Sequence, residues 1–134
     1  MRNEILKFRA RYDGAEGGFI YSDKKVNFVG SEDTCSLSFV NGNWGVCHSN
    51  SNHDWSGLEQ VDQFTGLLDK NGKEIYAGDI VDWKFNNETR VYDIYWREDL
   101  ARFDGRRGEE LGFFPDSFTE VIGNIYQNPE LLNQ

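Results

Sequence analysis

Ile80-Val81-Asp82-Trp83-Lys84-Phe85 places Val81, Trp83 and Phe85 at alternate positions against Ile80, Asp82 and Lys84, the period of a half-buried strand. Asn86-Asn87-Glu88 then reverses the chain, and Thr89-Arg90-Val91-Tyr92-Asp93-Ile94-Tyr95-Trp96 repeats the pattern. Val81, Trp83 and Phe85 are expected inside, together with Tyr92, Ile94 and Trp96, the set on the second strand that excludes Asp93. Burial of that many rings, at about 25 cal/mol per Å² of apolar area, makes this hairpin the expected anchor of the fold.

The same pattern extends outward in both directions. Asn71-Gly72 reverses the chain between Phe64-Thr65-Gly66-Leu67 and Ile75-Tyr76, and Gly78-Asp79 breaks it before Ile80. Near the amino terminus Leu6, Phe8, Ala10 and Tyr12 alternate with Lys7, Arg9 and Arg11. Gly14, Gly17 and Gly18 precede Phe19-Ile20-Tyr21, and Cys35, Leu37 and Phe39 alternate with serines. Asn41-Gly42 supplies the two positive-φ positions of a type I' turn, with Trp44 and Val46 on the return strand. From His48 to Gly57 the residues turn polar, Trp55 excepted, and the stretch reads as a loop. Phe113-Phe114 and Val121-Ile122 supply later strands, and Asn128-Pro129 caps a short helix or a single turn. Short strands about ten residues apart, with little helix, favour a mainly β barrel or sandwich over an α/β sheet. The expected division is an N-terminal β-rich subdomain, residues 1–57, and a barrel subdomain, residues 58–134.

Two segments carry a family resemblance. Gln63-Phe64-Thr65-Gly66-Leu67-Leu68-Asp69-Lys70-Asn71-Gly72-Lys73-Glu74-Ile75-Tyr76-Ala77-Gly78-Asp79-Ile80-Val81 and Glu120-Val121-Ile122-Gly123-Asn124-Ile125-Tyr126-Gln127-Asn128-Pro129-Glu130-Leu131 resemble the signature segments of the YopX family of phage and prophage proteins. Lys7-Phe8-Arg9-Ala10 is similar to that family's opening strand. The sequence departs from the pattern at Ala77, where the family usually places an acid, and residues 13–58 match no quoted motif. The resemblance implies an SH3-like barrel in the C-terminal half and implies no particular chemistry. Read physically, the motif is made of turns and strands: Gly72 permits a hairpin, Gly78 relieves a turn, and Asp79 bonds neighbouring backbone amides.

The chain has 134 residues and a formal charge of -9, with 38% hydrophobic and 15% aromatic residues. That length suits one compact domain, or a barrel with an appended subdomain, burying roughly two-thirds of its extended surface. Lys7, Arg9 and Arg11 interrupt any signal-peptide core, and no apolar run approaches the roughly 18 residues of a spanning helix. A cytoplasmic protein of a bacterial host, without membrane association, is therefore expected, and Cys35 and Cys47 are expected as reduced thiols.

Cys35, Cys47, His48 and His53, with Asp54, are the candidate zinc ligands by chemistry. Their spacing lacks the tight knuckle of structural sites, and adjacent strand residues Cys47 and His48 point apart, so no metal and no cofactor is expected. Neither cysteine is flanked by Lys or Arg as an activated thiolate requires. Glu32-Asp33 and Glu109-Glu110 read as solvated pairs, and with no nucleophile elbow or phosphate loop no catalytic residue is expected.

Arg97, Arg102, Arg106 and Arg107 cluster next to Tyr95 and Trp96, on a barrel type that elsewhere stacks bases. Residues 97–110 nevertheless hold five acids against those four arginines, and the overall charge opposes phosphate binding. The expected function is a non-enzymatic accessory protein that binds a host or phage protein, with self-association through an open strand edge also allowed. A nucleic-acid-binding module and an acidic DNA mimic are the alternatives. The contact candidates are Trp55, Tyr95, Arg97, Arg106 and Arg107, each of which also has a purely structural reading at the core edge or in ion pairs.

Overall fold

A computed structural model of the chain describes residues 6–49, 53–54, 58, 60–107, 109–110 and 118–133, and these are mainly β with no α-helix. The chain forms two compact units, Met1–Gln63 and Phe64–Gln134.

The first unit contains β1 (Phe8–Arg11), β2 (Phe19–Tyr21), β3 (Val26–Asn27), β4 (Thr34–Val40), β5 (Asn43–His48), β6 (His53–Asp54) and the start of β7 (Val61–Leu68). β1 pairs antiparallel with β2 and with residues 61–63 of β7, and β3-β4-β5-β6 form a second antiparallel sheet in that order. Ala10, Ala15, Ile20, Cys35, Leu37 and Val46 make the core, with Phe8, Tyr12, Val26, Phe28 and Trp44 packed against it. Asn41 (φ 52°) and Gly42 (φ 81°) make the expected two-residue turn, so that Val40 opposes Asn43.

Two expectations are corrected in this unit. Arg9 does not face solvent: it is buried, with its guanidinium 4.4 Å from the centre of the Phe19 ring. A planar cation on an apolar stem is accommodated where an ammonium would not be. The stretch after His48 is not all loop, because His53 and Asp54 pair with Cys47 and Val46.

The second unit continues β7 and adds β8 (Glu74–Tyr76), β9 (Asp79–Phe85), β10 (Glu88–Arg97), β11 (Arg102–Arg107), β12 (Glu109–Glu110) and β13 (Thr119–Asn124). Its main sheet has the order β12-β11-β10-β9-β13, all antiparallel, and curls into a half-barrel. Strand β10 makes the curl visible in its register. Glu88 to Asp93 pair with β9, Asp93 to Arg97 pair with β11, and Asp93 alone has both partners, Ile80 and Arg106. A further irregularity between Val121 and Gly123 bends β13. Asn86 and Asn87, both at positive φ, close the β9–β10 hairpin in two residues.

Ile75, Val81, Tyr92 and Ile94 form the core of this unit, with Trp83, Phe103 and Val121 against it. The inward face read for Val81, Trp83, Tyr92 and Ile94 is therefore correct, while the side chain of Phe85 and the expected strand at Phe113-Phe114 lie outside the described residues. Trp96 is a correction: expected in the core, it is 48% exposed. β9 stops pairing with β10 at Asp93, so among the described strands Trp96 is paired with β11 alone, opposite Phe103. The other face is corrected as well, because Ile80, Val91 and Asp93 are all buried. At Gly105 a Cβ would stand 2.3 Å from the Tyr92 ring, so the missing side chain is what lets that ring lie across β11.

Candidate functional surface

The β10–β11 hairpin carries four of the five expected contact residues, Tyr95, Arg97, Arg106 and Arg107. Its register opposes Asp93 to Arg106, Tyr95 to Asp104 and Arg97 to Arg102, alternating with Ile94 opposite Gly105 and Trp96 opposite Phe103. Directly opposed residues share a face, so one side carries a chequerboard of acids and arginines around Tyr95 and the other carries Trp96 and Phe103.

Asp104 organises the charged side. It is fully buried, its Oδ2 accepts from Arg97 Nη1 and Arg102 Nη2 at 3.3 Å each, and its Oδ1 accepts from the Gly105 amide at 2.9 Å. Arg97 forks onto Asp99 as well, through Nε at 2.9 Å and Nη2 at 3.2 Å. That hydrogen-bonded guanidinium holds the Asp99 carboxyl below the usual range. Arg106 donates to Asp93 at 3.1 Å and lies 4.3 Å from the centre of the Tyr95 ring. Arg107 stands opposite Glu109 in the backbone register, and Trp55 lies outside the described residues.

Tyr95, Arg97 and Arg106 are thus brought together, and each of the two arginines already holds an acid. A phosphate would have to displace Asp93, Asp99 or Asp104, and displacing Asp104 would leave a buried carboxylate without its cations. On the opposite side Trp96 meets Phe103 edge-on, ring centres 5.0 Å apart at 70°. Leu100, at the tip, is also exposed. Sequence reasoning assigned Trp96 to the core and passed over Asp93 and Asp104. The period-two charge pattern Arg102-x-Asp104-x-Arg106 was the available signal for the latter. It also missed an open groove of about 410 Å³ over the β9–β10 turn, lined by Lys84, Asn86, Asn87, Glu88, Thr89 and Phe118.

The zinc candidates separate into two cross-strand pairs at successive strand positions: Cys35 opposite His48, and Cys47 opposite His53. Burial pushes the Cys35 thiol up, His48 stacks on Phe28 with ring centres 5.0 Å apart, and Cys47 Sγ donates to the His48 carbonyl. Among the described residues no group of three or more His, Cys, Asp or Glu side chains is placed to hold a metal ion. Nor, among them, is any helix long and apolar enough to cross a membrane.

The two signature-like segments meet in the fold. Asp69, almost wholly buried, accepts from the amides of Asn71 and Lys73 on Oδ1, at 2.8 and 2.9 Å, and from the amide of Val121 on Oδ2 at 2.9 Å. The Lys70 amide donates to the Thr119 carbonyl, and the Ile125 amide to that of Gly78. Asp79 accepts from the Tyr76 amide at 2.8 Å, as read from the sequence. Asn128 accepts from the Asn124 amide, and a Cβ at Gly123 would stand 2.6 Å from that same Asn128 oxygen. These residues are structural staples of a curled antiparallel β unit.

These features define a class, a mainly β protein whose diagnostic residues hold turns to an edge strand. The chain belongs to the YopX family: the family described as YopX protein matches residues 7–133 and so takes in residues 13–58, which no quoted motif covered. Among solved structures it is similar to the crystal structure of protein EF1440 from Enterococcus faecalis. The two are 26% identical with a TM-score of 0.57 over 96% of this chain and 98% of that one. No curated protein matches the chain.

Proposed function

We propose that this YopX-family chain is a non-enzymatic accessory protein of phage or prophage type that works in the host cytoplasm by binding another protein. In this reading residues 58–134 form an SH3-like barrel and the β10–β11 ribbon is its contact element. The observation that carries the proposal is Trp96: a large ring, 48% exposed, braced edge-on by Phe103 on the β10–β11 hairpin. Rigid, partly exposed aromatics are the side chains that dominate protein interfaces. The arginines on the opposite side fit a rim role, since their acids leave little net charge for a polyanion to neutralise.

The test compares tagged wild-type protein with Trp96→Ala and with a charged-side control, Arg102→Gln, as baits in lysate of a matched host, using quantitative mass spectrometry. The expected result is a protein enriched by wild type and Arg102→Gln and lost with Trp96→Ala, while circular dichroism shows all three folded. Equal retention by Trp96→Ala, or enrichment of nucleic acid instead, overturns the proposal.

A further inference from the structure

The chain contains two Asn-Gly pairs, and the structure treats them differently. Asn71-Gly72 is held at every backbone position that matters: the Asn71 amide donates to Asp69 Oδ1 at 2.8 Å, the Gly72 amide donates to the Asp69 carbonyl at 3.0 Å, and Asp69 is anchored to Val121. Both pairs are exposed with open space where a glycine Cβ would be, so the difference lies in their hydrogen bonds; Asn41-Gly42 sits at the tip of the β4–β5 hairpin. Its one side-chain tie is Asn43 Nδ2 donating to the Asn41 carbonyl at 3.2 Å, which leaves the Gly42 nitrogen uninvolved. Asn86-Asn87 and Asn87-Glu88 are also exposed, but the residue after each asparagine carries a side chain that hinders approach to the peptide nitrogen.

We infer that Asn41 is a site of spontaneous, water-dependent modification, at which the folded protein converts amide to acid while protecting Asn71. The Gly42 backbone nitrogen gives up its proton to solvent base and attacks Asn41 Cγ. The new N–Cγ bond forms, the Cγ–Nδ2 bond breaks, and Nδ2 leaves as ammonia, giving a five-membered imide. Water then opens either carbonyl, so the net change is amide plus water to carboxylic acid plus ammonia, with the product Asp or isoAsp and no oxidant or reductant. Ring closure requires Asn41 to leave its left-handed conformation (φ 52°). Asparagine is among the few residues with a Cβ that adopt that conformation readily, and the exposed tip offers no side-chain packing that locks it there. Asn71 is not left-handed, and bringing the Gly72 nitrogen onto its Cγ would break the bonds that the Asn71 and Gly72 amides make to Asp69.

The modification has a structural consequence. Asn41 adjoins Val40 and Phe39, both exposed, and Phe39 meets Trp44 edge-on at 5.0 Å. Conversion places a carboxylate beside this apolar tip. The isoAsp form also lengthens the backbone inside a two-residue turn, so the pairing of Val40 with Asn43 cannot be kept.

The experiment incubates the purified full chain at mildly alkaline pH and follows each asparagine by peptide mass spectrometry, with isoaspartyl methyltransferase labelling to identify the branched product. Parallel samples are denatured in urea or carry Asp69→Ala. Asn41 is expected to convert several-fold faster than Asn71 in the folded protein, and the two are expected to converge in urea. Asp69→Ala should speed Asn71 while leaving Asn41 unchanged. Equal rates in the folded chain, a faster Asn71, or an ordering that persists in urea would each overturn the inference.

Discussion

Replacing Asp69 tests the central claim about this fold, that one buried carboxylate ties the β7–β8 turn to the edge strand β13, 52 residues away in sequence at Val121. Asp69→Ala removes the acceptor of three backbone amides. Those of Asn71 and Lys73 sit in an exposed turn and recover water. The Val121 amide lies on the strand edge that the turn itself covers, so its loss should dominate at about 1.5–3 kcal/mol, the value of a hydrogen bond to a charged group. With about 0.5 kcal/mol for each turn amide the total is roughly 2.5–4 kcal/mol, a large share of a typical stability of about 5–15 kcal/mol. Asp69→Asn keeps one acceptor for the turn but turns an NH₂ toward the Val121 amide if its oxygen stays there, and should cost about 2 kcal/mol.

Acid provides a second reading of the same contact. Burial by itself pushes the Asp69 carboxyl up, but the amides of Val121, Lys73 and Asn71 and the Lys73 charge outweigh it and hold the folded value below the ordinary one. A depressed folded value means the unfolded chain binds the proton first. The stabilisation is therefore complete above the unfolded value of about 3.9 and is lost as pH falls through the lower folded value. Urea denaturation followed by tryptophan fluorescence should show the gap between wild type and Asp69→Asn constant near neutrality and shrinking below about pH 4. A gap under about 0.5 kcal/mol at neutral pH, or one that does not change on acidification, would refute the reasoning.

Gly105→Ala should cost at least about 2 kcal/mol, because its methyl would overlap the Tyr92 ring; an unchanged melting temperature would show that the ring moves freely. Ala101 holds a left-handed backbone (φ 50°) at the β10–β11 tip, so Ala101→Gly should stabilise by about 0.5–1 kcal/mol in the same melt. Cys35 is buried with its thiol pushed up, whereas Cys47 is half-buried, so iodoacetamide should label Cys47 first in the folded chain and both equally in urea. Preferential labelling of Cys35 would contradict the burial described.

What the sequence made legible followed from whether the cause was local. Asn41-Gly42, Asn86-Asn87 and Gly78 were readable because positive φ is a property of one or two residues. The inward face of Val81, Trp83, Tyr92 and Ile94 was readable because alternation is local to a strand. Trp96 shows where that logic fails: alternation assigns a face but does not say how far the layer beneath it extends, and β9 leaves β10 at Asp93. Among the contact candidates, Tyr95 and the arginines were found by proximity in sequence. That acids offset these arginines was legible from the count in residues 97–110, but not which ones: Asp104 and Asp93 are buried, and an acid is read as surface until its cations are seen across the register.

Asp69 makes the same point about the family segments. Its value lies in an amide supplied by the other segment, so neither stretch shows alone why an aspartate stands beside Asn71-Gly72. Asp69 Oδ2 and the Lys70 amide occupy polar groups along Val121 and Thr119 that an exposed edge would offer to another strand. The signature segments therefore do two things at once: they close a turn and they blunt an edge. Both roles are met by turn geometry and backbone hydrogen bonds, and the β10–β11 ribbon lies outside both segments.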